Sequence, residues 1–337
     1  MLDLEASGIC GTDVHFHDGT LALDPGCIIG HEFVGRVRAL GEGVTGDGLG
    51  QTLAVGDCCI ACIALPCGTC FCCRQGETAS CLNFGVTNAA PAAAPPHFHG
   101  GYAELLAQPA ATLVRVPADV SVAAVAAFAC AGPTCIRAFA FAGDLRGDEL
   151  VVVQGTGPVG LFAVAWAAAR GCRVVAIGSG NSPRRLQMAA RLGATLVLDY
   201  RSVPAAQRQE QVRELAADLG RGNGADVVFE ATGAPGALPE GLELLRTLGT
   251  YIVPGQYSSS GAVAIRPELI TFKALRIIGS GQYKLGDIGT YLAFLRQSAD
   301  LQQDLAACVT HRYPLAQVNQ ALADVAAGTC VKAVFVP

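Results

Sequence analysis

Residues 150–171, LVVVQGTGPVGLFAVAWAAARG, restrict the fold more than any other stretch of the chain. The first twenty are uncharged, the length of a membrane-spanning helix. But Gly155, Gly157, Pro158 and Gly160 interrupt the run in its middle. A strand, a tight turn and a helix start account for it better than a span. The glycines fall as G-x-G-x-x-G, with Pro158 and Val159 filling the last gap. In that context the pattern lets a dinucleotide pyrophosphate approach a helix N-terminus closely. By itself the pattern is weak. It gains force from the downstream segments RVVAIG, a helix near RRLQMAARLG, TLVLDY, GADVVFEATG, a helix near LPEGLELLRTLG, and TYIVPG. Strands alternating with helices predict an α/β fold with a parallel, doubly wound sheet.

The chain has 337 residues, enough for two domains. Charged residues make up 15%, and the mean hydropathy is +0.40, as expected of helices packed on a buried sheet. A net charge of −5 argues against a nucleic-acid partner. The start, MLDLEASG, has an acid at position 3 and no basic leader, so a cytoplasmic protein without a membrane anchor is expected. In such a compartment the fifteen cysteines would be reduced, which favours metal binding over disulfides.

The segment LPCGTCFCCRQGETASC places Cys67, Cys70, Cys73 and Cys81 as C-x2-C-x2-C-x7-C. Four thiolates at this spacing suit a closed tetrahedral Zn²⁺. The first three also fit an iron–sulfur run, but there the next cysteine comes after three residues and precedes proline. Buried, unliganded thiols are the plain alternative, and that reading suits Cys135, Cys172, Cys308 and Cys330. No role is assigned to Cys58, Cys59, Cys62 or Cys72. Four thiolates leave no open position for a substrate, so this lobe reads as a clasp.

A second set comes from separate segments. SGICGTDVHFHDG supplies Cys10, IIGHEFVGRV supplies His31 and Glu32, and FACAGPTC supplies Cys130. Three protein ligands with one open position describe a catalytic zinc. From spacing alone, His31 beside Glu32 also reads as a structural pair.

GICGTDVH, GHEFVGRV, GDCC and the four-cysteine lobe, in this order, resemble the zinc-dependent alcohol dehydrogenases of the medium-chain dehydrogenase/reductase superfamily. The resemblance covers nearly the whole chain. It implies a GroES-like, mostly-β catalytic domain over residues 1–131 and 282–337, carrying the structural zinc lobe at 65–82. A Rossmann domain over 132–281 would bind NAD(P). By the same resemblance Cys10, His31 and Cys130 hold the catalytic zinc, and Glu32 is either a direct ligand or a switchable neighbour. Asp13 would orient His31, Thr12 would meet the substrate oxygen, and His15 would pass its proton to solvent. Thr134 would lie near the nicotinamide, Thr232 and Gly233 beside the cofactor, and Lys332 on the pyrophosphate. Family chains also carry a further opening hairpin of about thirty residues, which implies an N-terminally shortened catalytic domain here.

The strand Val174–Ile177 is followed by Gly178, where NAD binders place an acid on the adenosine ribose. Gly178 and Ser179 resemble the NADP-preferring branch, and Arg184 or Arg185 would reach a 2′-phosphate, so NADP is expected over NAD. Gly180 departs from that branch, which has an arginine there, and both arginines also read as plain helix solubilisers. The implied reaction moves a hydride between an alcohol, or its aldehyde or ketone, and NAD(P). Two alternatives stand beside it: a zinc-independent quinone- or enoyl-reductase-like member, and an inactive zinc- and nucleotide-binding protein. Homodimers or homotetramers are implied, through a strand near ALRIIGSG. The patch NAAPAAAPPHFHGG, 88–101, reads as a loop.

Overall fold

A computed structural model describes residues 1–337 except 24–25, 88–89, 144 and 257–260. LDLEASG alternates apolar and polar at its start and forms strand β1 (Leu2–Gly8). It is followed by β2 (Glu32–Val37), β3 (Cys58–Ala61), a ribbon of β4 (Ala64–Leu65) and β5 (Gly85–Val86), then β6 (Leu105–Leu106) and β7 (Leu113–Arg115). The chain then builds a second sheet from β8 (Leu150–Gln154), β9 (Arg173–Gly178), β10 (Leu196–Asp199), β11 (Ala225–Glu230), β12 (Leu245–Val253) and β13 (Arg276–Gly279). It returns to the first sheet with β14 (Val309–Tyr313) and β15 (Lys332–Phe335).

The first sheet runs β14-β15-β1-β2-β3-β7, with β6 also on β1. The strands are antiparallel except the β14–β15 pair. Its core is Leu2, Leu4, Phe33, Val37, Leu106 and Leu113. Each such side chain contributes about 1.5–3 kcal/mol when fully buried. The second sheet runs β10-β9-β8-β11-β12-β13 and is parallel throughout. Its strand order reverses between β8 and β11, the position at which ligands bind such sheets, outside the carboxyl ends of the strands. Residues divide into two compact units, 1–133 with 282–337, and 134–281. The expected boundary at 131/132 falls two residues earlier, inside the helix Ala131–Ala142. No helix among the described residues is long and apolar enough to cross a membrane.

One local expectation needs correction. The helix near LPEGLELLRTLG stops at Leu244, and LRTLG opens β12 instead. Leu245 is drawn into parallel register beside Ala225, and Leu248 takes a positive φ of 62°, neither of which a helix allows. A fourteen-residue helix, Ala205–Asp218, connects β10 to β11, a segment for which no element was expected. His15 and His17 lie on the helix Gly11–His17. In the 88–101 patch, Asn88 and Ala89 lie outside the described residues, and His97 and His99 bond the Ala92 and Ala94 carbonyls at 3.0 Å each.

Candidate active site and metal centres

The β1–β2 register builds the first cluster. Gly8 pairs with Glu32 across the antiparallel ladder, so the chain leaving β1 and the chain entering β2 end side by side. A Cβ at Gly8 would lie 2.2 Å from Glu32 Oε2, so only glycine lets the carboxylate turn back over the strand. Two residues on, Cys10 caps the helix Gly11–His17, and its N–H donates to Asp13 Oδ2 at 2.8 Å. The other Asp13 oxygen is 3.2 Å from His31 Nδ1. Asp13 is fully buried and binds both segments at once. With Nδ1 turned to the acid, Nε2 of His31 is the nitrogen left for the cluster.

Ligand atoms of Cys10, His31 and Glu32 all lie within 4.8 Å of one another. The Cys130 thiol reaches hydrogen-bonding contact with both Cys10 and His31. The bond from Cys130 holds the Cys10 thiol well below its usual range against the effect of burial, with His31 and Lys332 helping. Cys130 moves the opposite way, because Cys10 shares one proton with it and because it is buried. Burial pulls His31 down, but the Asp13 charge and hydrogen bond outweigh it and raise the imidazole. Burial pushes Glu32 up to about 7 against the pull of Lys332. Two sulfurs, one imidazole nitrogen and a nearby carboxylate form a donor set of borderline softness that fits zinc.

Thr12 follows Cys10 on the same helix, with its hydroxyl 3.7 Å from Cys10 Sγ. His15 stands three residues on, on the same helical face. Its buried Nδ1 has no partner among the described residues.

The family resemblance puts Lys332 on the cofactor pyrophosphate. Here its Nζ pairs with Glu32 Oε2 and donates to the Ile9 carbonyl at 3.1 Å. The side chain is 1% exposed. The reason is electrostatic: the Glu32 carboxylate is buried, and β15 lies beside β1, which delivers a cation to it. A lone basic residue near the C-terminus gives no signal for this pairing, since its partner is three hundred positions away.

The lobe brings its four cysteines together. The Sγ atoms of Cys67, Cys70, Cys73 and Cys81 lie within 4.8 Å of one another. Zinc–sulfur bonds of about 2.3 Å set tetrahedron edges of about 3.8 Å, and Cys70 Sγ to Cys81 Sγ is 3.9 Å. Backbone N–H groups of Thr69 and Cys70 hold the Cys67 thiol down at about 5. N–H groups of Cys73 and Leu82 lower Cys70. Cys73 moves the other way, pushed up to about 12 by burial and by its bond to Cys70, so the lobe stabilises two of its four thiolates before any metal arrives. By contrast, burial pushes Cys58 and Cys62 up to about 11 and Cys59 to about 12, so these stay neutral thiols.

In the second unit the glycine turn joins β8 to the helix Pro158–Ala168. Gly155 has φ 101°, a conformation suited to glycine, and Gly157 caps the helix with open space around its Cα. A Cβ at Gly160 would lie 1.9 Å from the Gly155 carbonyl oxygen. Pro158 occupies the first helical turn, where no N–H is needed, and the Val159 carbonyl accepts from Cys135 Sγ at 3.0 Å. Thr232 and Gly233 come just after β11, and buried Glu230 binds both of their N–H groups, at 2.6 and 2.9 Å. Thr134 is half-buried on the helix Ala131–Ala142. Beyond β9, Ser179 Oγ accepts from the Asn181 N–H at 3.3 Å, Arg184 is exposed, and Arg185 is half-buried. Glu230 was not singled out from the sequence. A carboxylate at the end of a strand otherwise ready for burial, VVFE, is the signal that marks it.

A dinucleotide turn in one unit and an acid-anchored Cys–His–Cys cluster in the other define a metal-dependent dehydrogenase. Comparison with known proteins agrees. Residues 1–118 match the alcohol dehydrogenase GroES-like domain, and residues 158–297 match the zinc-binding dehydrogenase family. Over 332 residues the chain is 36% identical to 5-exo-hydroxycamphor dehydrogenase of Pseudomonas putida, covering 97% of this chain and 89% of that protein. An L-threonine 3-dehydrogenase of Idiomarina loihiensis is 30% identical, with 99% and 91% covered. Among solved structures, an alcohol dehydrogenase from Thermotoga maritima superposes with a TM-score of 0.92 at 30% identity, covering 100% of this chain and 91% of that one. The chain belongs to the zinc-dependent alcohol dehydrogenase family of the medium-chain dehydrogenases/reductases. It is an oxidoreductase acting on small alcohols or their carbonyl counterparts with zinc and a nicotinamide cofactor.

Proposed function

We propose that Cys10, His31 and Cys130 hold the catalytic zinc, and that Cys67, Cys70, Cys73 and Cys81 hold a second, structural one. Zinc polarises the substrate oxygen when bound, and the nicotinamide takes up or returns the hydride. The chain's own groups do the rest. Asp13 keeps the His31 ring oriented with its Nε2 towards the cluster. The Thr12 hydroxyl, beside Cys10, accepts the proton of the alcohol, and the free Nδ1 of His15 carries it on towards solvent. Glu32 stays paired with Lys332, whose charge offsets the carboxylate beside the thiolates. The turn at Gly155, Gly157, Pro158, Val159 and Gly160 seats the pyrophosphate, and Thr134, Thr232 and Gly233 line the nicotinamide side.

The observation that carries this reading is the convergence of Cys10, His31 and Glu32 within 4.8 Å, with the Cys130 thiol bonded to Cys10 and His31 and a fully buried acid anchoring the imidazole. Elemental analysis of the purified chain tests it, together with turnover of a panel that includes 5-exo-hydroxycamphor, sorbitol and threonine. Two zincs per chain, falling to one in Cys10→Ser with loss of turnover, is the expected result. Full turnover in Cys10→Ser sinks the assignment.

We also propose a homo-oligomer joined through β13. This strand ends the parallel sheet, and Ile277 on it is 44% exposed. Light scattering of the purified chain tests this. A reducing, cytoplasmic setting, in which thiolates of this kind stay available to zinc, goes with this reading.

A further inference from the structure

A carboxylate missing from the end of β9 is supplied by the strand beside it. β9 and β10 run parallel, and Asp199 is in register with Gly178. In-register residues on parallel neighbours send their side chains to the same face, about 4.8 Å apart. Position 178 itself has no room for an acid. A Cβ there would lie 2.4 Å from Thr156 Oγ1 and 2.6 Å from Leu186 Cδ2. Asp199 instead reaches under the loop beyond β9. Its Oδ1 accepts the N–H groups of Gly180 at 2.8 Å and Arg201 at 3.0 Å, and its Oδ2 accepts the Ser202 hydroxyl at 3.1 Å. A Cβ at residue 180 would meet that Oδ2 at 2.2 Å. The carboxylate therefore explains why Gly180 stands where an arginine was expected.

In a sheet of this order the pyrophosphate lies on the turn after the first strand, and the adenosine ribose lies at the end of the second. Those positions are the Gly155–Gly160 turn and the Gly178–Gly180 loop. We propose that Asp199 makes this enzyme select NAD over NADP, by placing a fixed negative charge where a 2′-phosphate would have to sit. The Gly180 N–H, the loop donor such a phosphate would use, is already engaged. The Arg201 and Gly180 N–H groups hold the carboxyl below its usual range, so it is ionised at neutral pH. Arg184 and Arg201 are exposed, and salt screens their attraction for a phosphate. This inference rests on the dehydrogenase reading above and refines its cofactor.

The test is direct binding of NADH and NADPH, monitored by nicotinamide fluorescence, to the wild-type chain and to Asp199→Asn and Asp199→Glu. Binding needs no turnover. Wild type is expected to bind NADH at least about tenfold more tightly than NADPH. Asp199→Asn should narrow that ratio about tenfold, mainly by strengthening NADPH binding, and Asp199→Glu should keep NADH preferred. Equal or tighter NADPH binding by wild type overturns the inference, as does an unchanged ratio in Asp199→Asn. Failure to bind either nucleotide overturns the dehydrogenase reading beneath it.

Discussion

Glu32 and Lys332 are both almost fully buried, at 2% and 1% exposure, and each is the other's counter-charge. Removing one partner strands the other in a medium that solvates it poorly. Lys332→Met should therefore destabilise the chain by about 3–5 kcal/mol, read by urea unfolding. The double change Glu32→Gln with Lys332→Met should recover most of that, because no uncompensated charge is left. Asp13 acts on a different quantity. Asp13→Asn keeps the shape of the side chain but removes the charge that orients His31. Metal affinity at the Cys10 cluster should fall about 10- to 100-fold, measured by chelator competition, while the lobe keeps its ion. Acidity separates the thiols as well. In metal-stripped protein, Cys67 should alkylate with iodoacetamide at a rate that rises through about pH 5 and levels off by neutrality. Its folded-state acidity is raised by the Thr69 and Cys70 N–H groups, so thiolate is present above that pH and lost below it. Cys59, pushed up to about 12 by burial, should stay unlabelled throughout. Peptide mapping by mass spectrometry reads both.

At the level of elements, the glycine turn is the least tolerant piece. Gly160→Ala would drive a Cβ into the Gly155 carbonyl, so either the turn or the helix Pro158–Ala168 must move. Overpacking of this kind costs about 1–3 kcal/mol, and nucleotide binding should be lost before folding is, as seen by fluorescence titration beside thermal melting. This turn was legible because its residues are neighbours and glycine's conformational freedom shows directly in the sequence. The four-cysteine lobe was legible for the same reason, since Cys67 to Cys81 span one loop. The features that stayed hidden depend on register between distant strands. The pairing of Lys332 with Glu32 stayed hidden because only the β15–β1 register brings them together. Asp199 went unread because its role appears only once β10 lies beside β9. LRTLG favoured a helix locally, and pairing with β11 overrode that preference.

On the scale of the whole molecule, the first unit is stitched from the two ends of the chain. β15 pairs with β1 at Ser7–Phe335 and Gly8–Val334, and the Ile9 N–H donates to the Ala333 carbonyl at 3.0 Å, one residue before Cys10. The second unit is a continuous stretch, 134–281, with its own core of Leu150, Val152, Val175, Val228 and Tyr251. The two should respond separately to damage at the C-terminus. Removing residues 330–337 takes away β15, exposes one side of β1 and leaves Glu32 without its cation. An unpaired strand and an unpaired buried charge together exceed what a unit of marginal stability tolerates. Hydrogen exchange read by mass spectrometry should then show amides of β1, β2 and β3 losing protection and the Cys10 metal released. Amides of β8, β9 and β11 should keep native protection, because the bonds that close that sheet all lie within residues 150–279. Loss of protection in both sheets together would mean that the second unit does not hold its fold alone, whatever the completeness of its core.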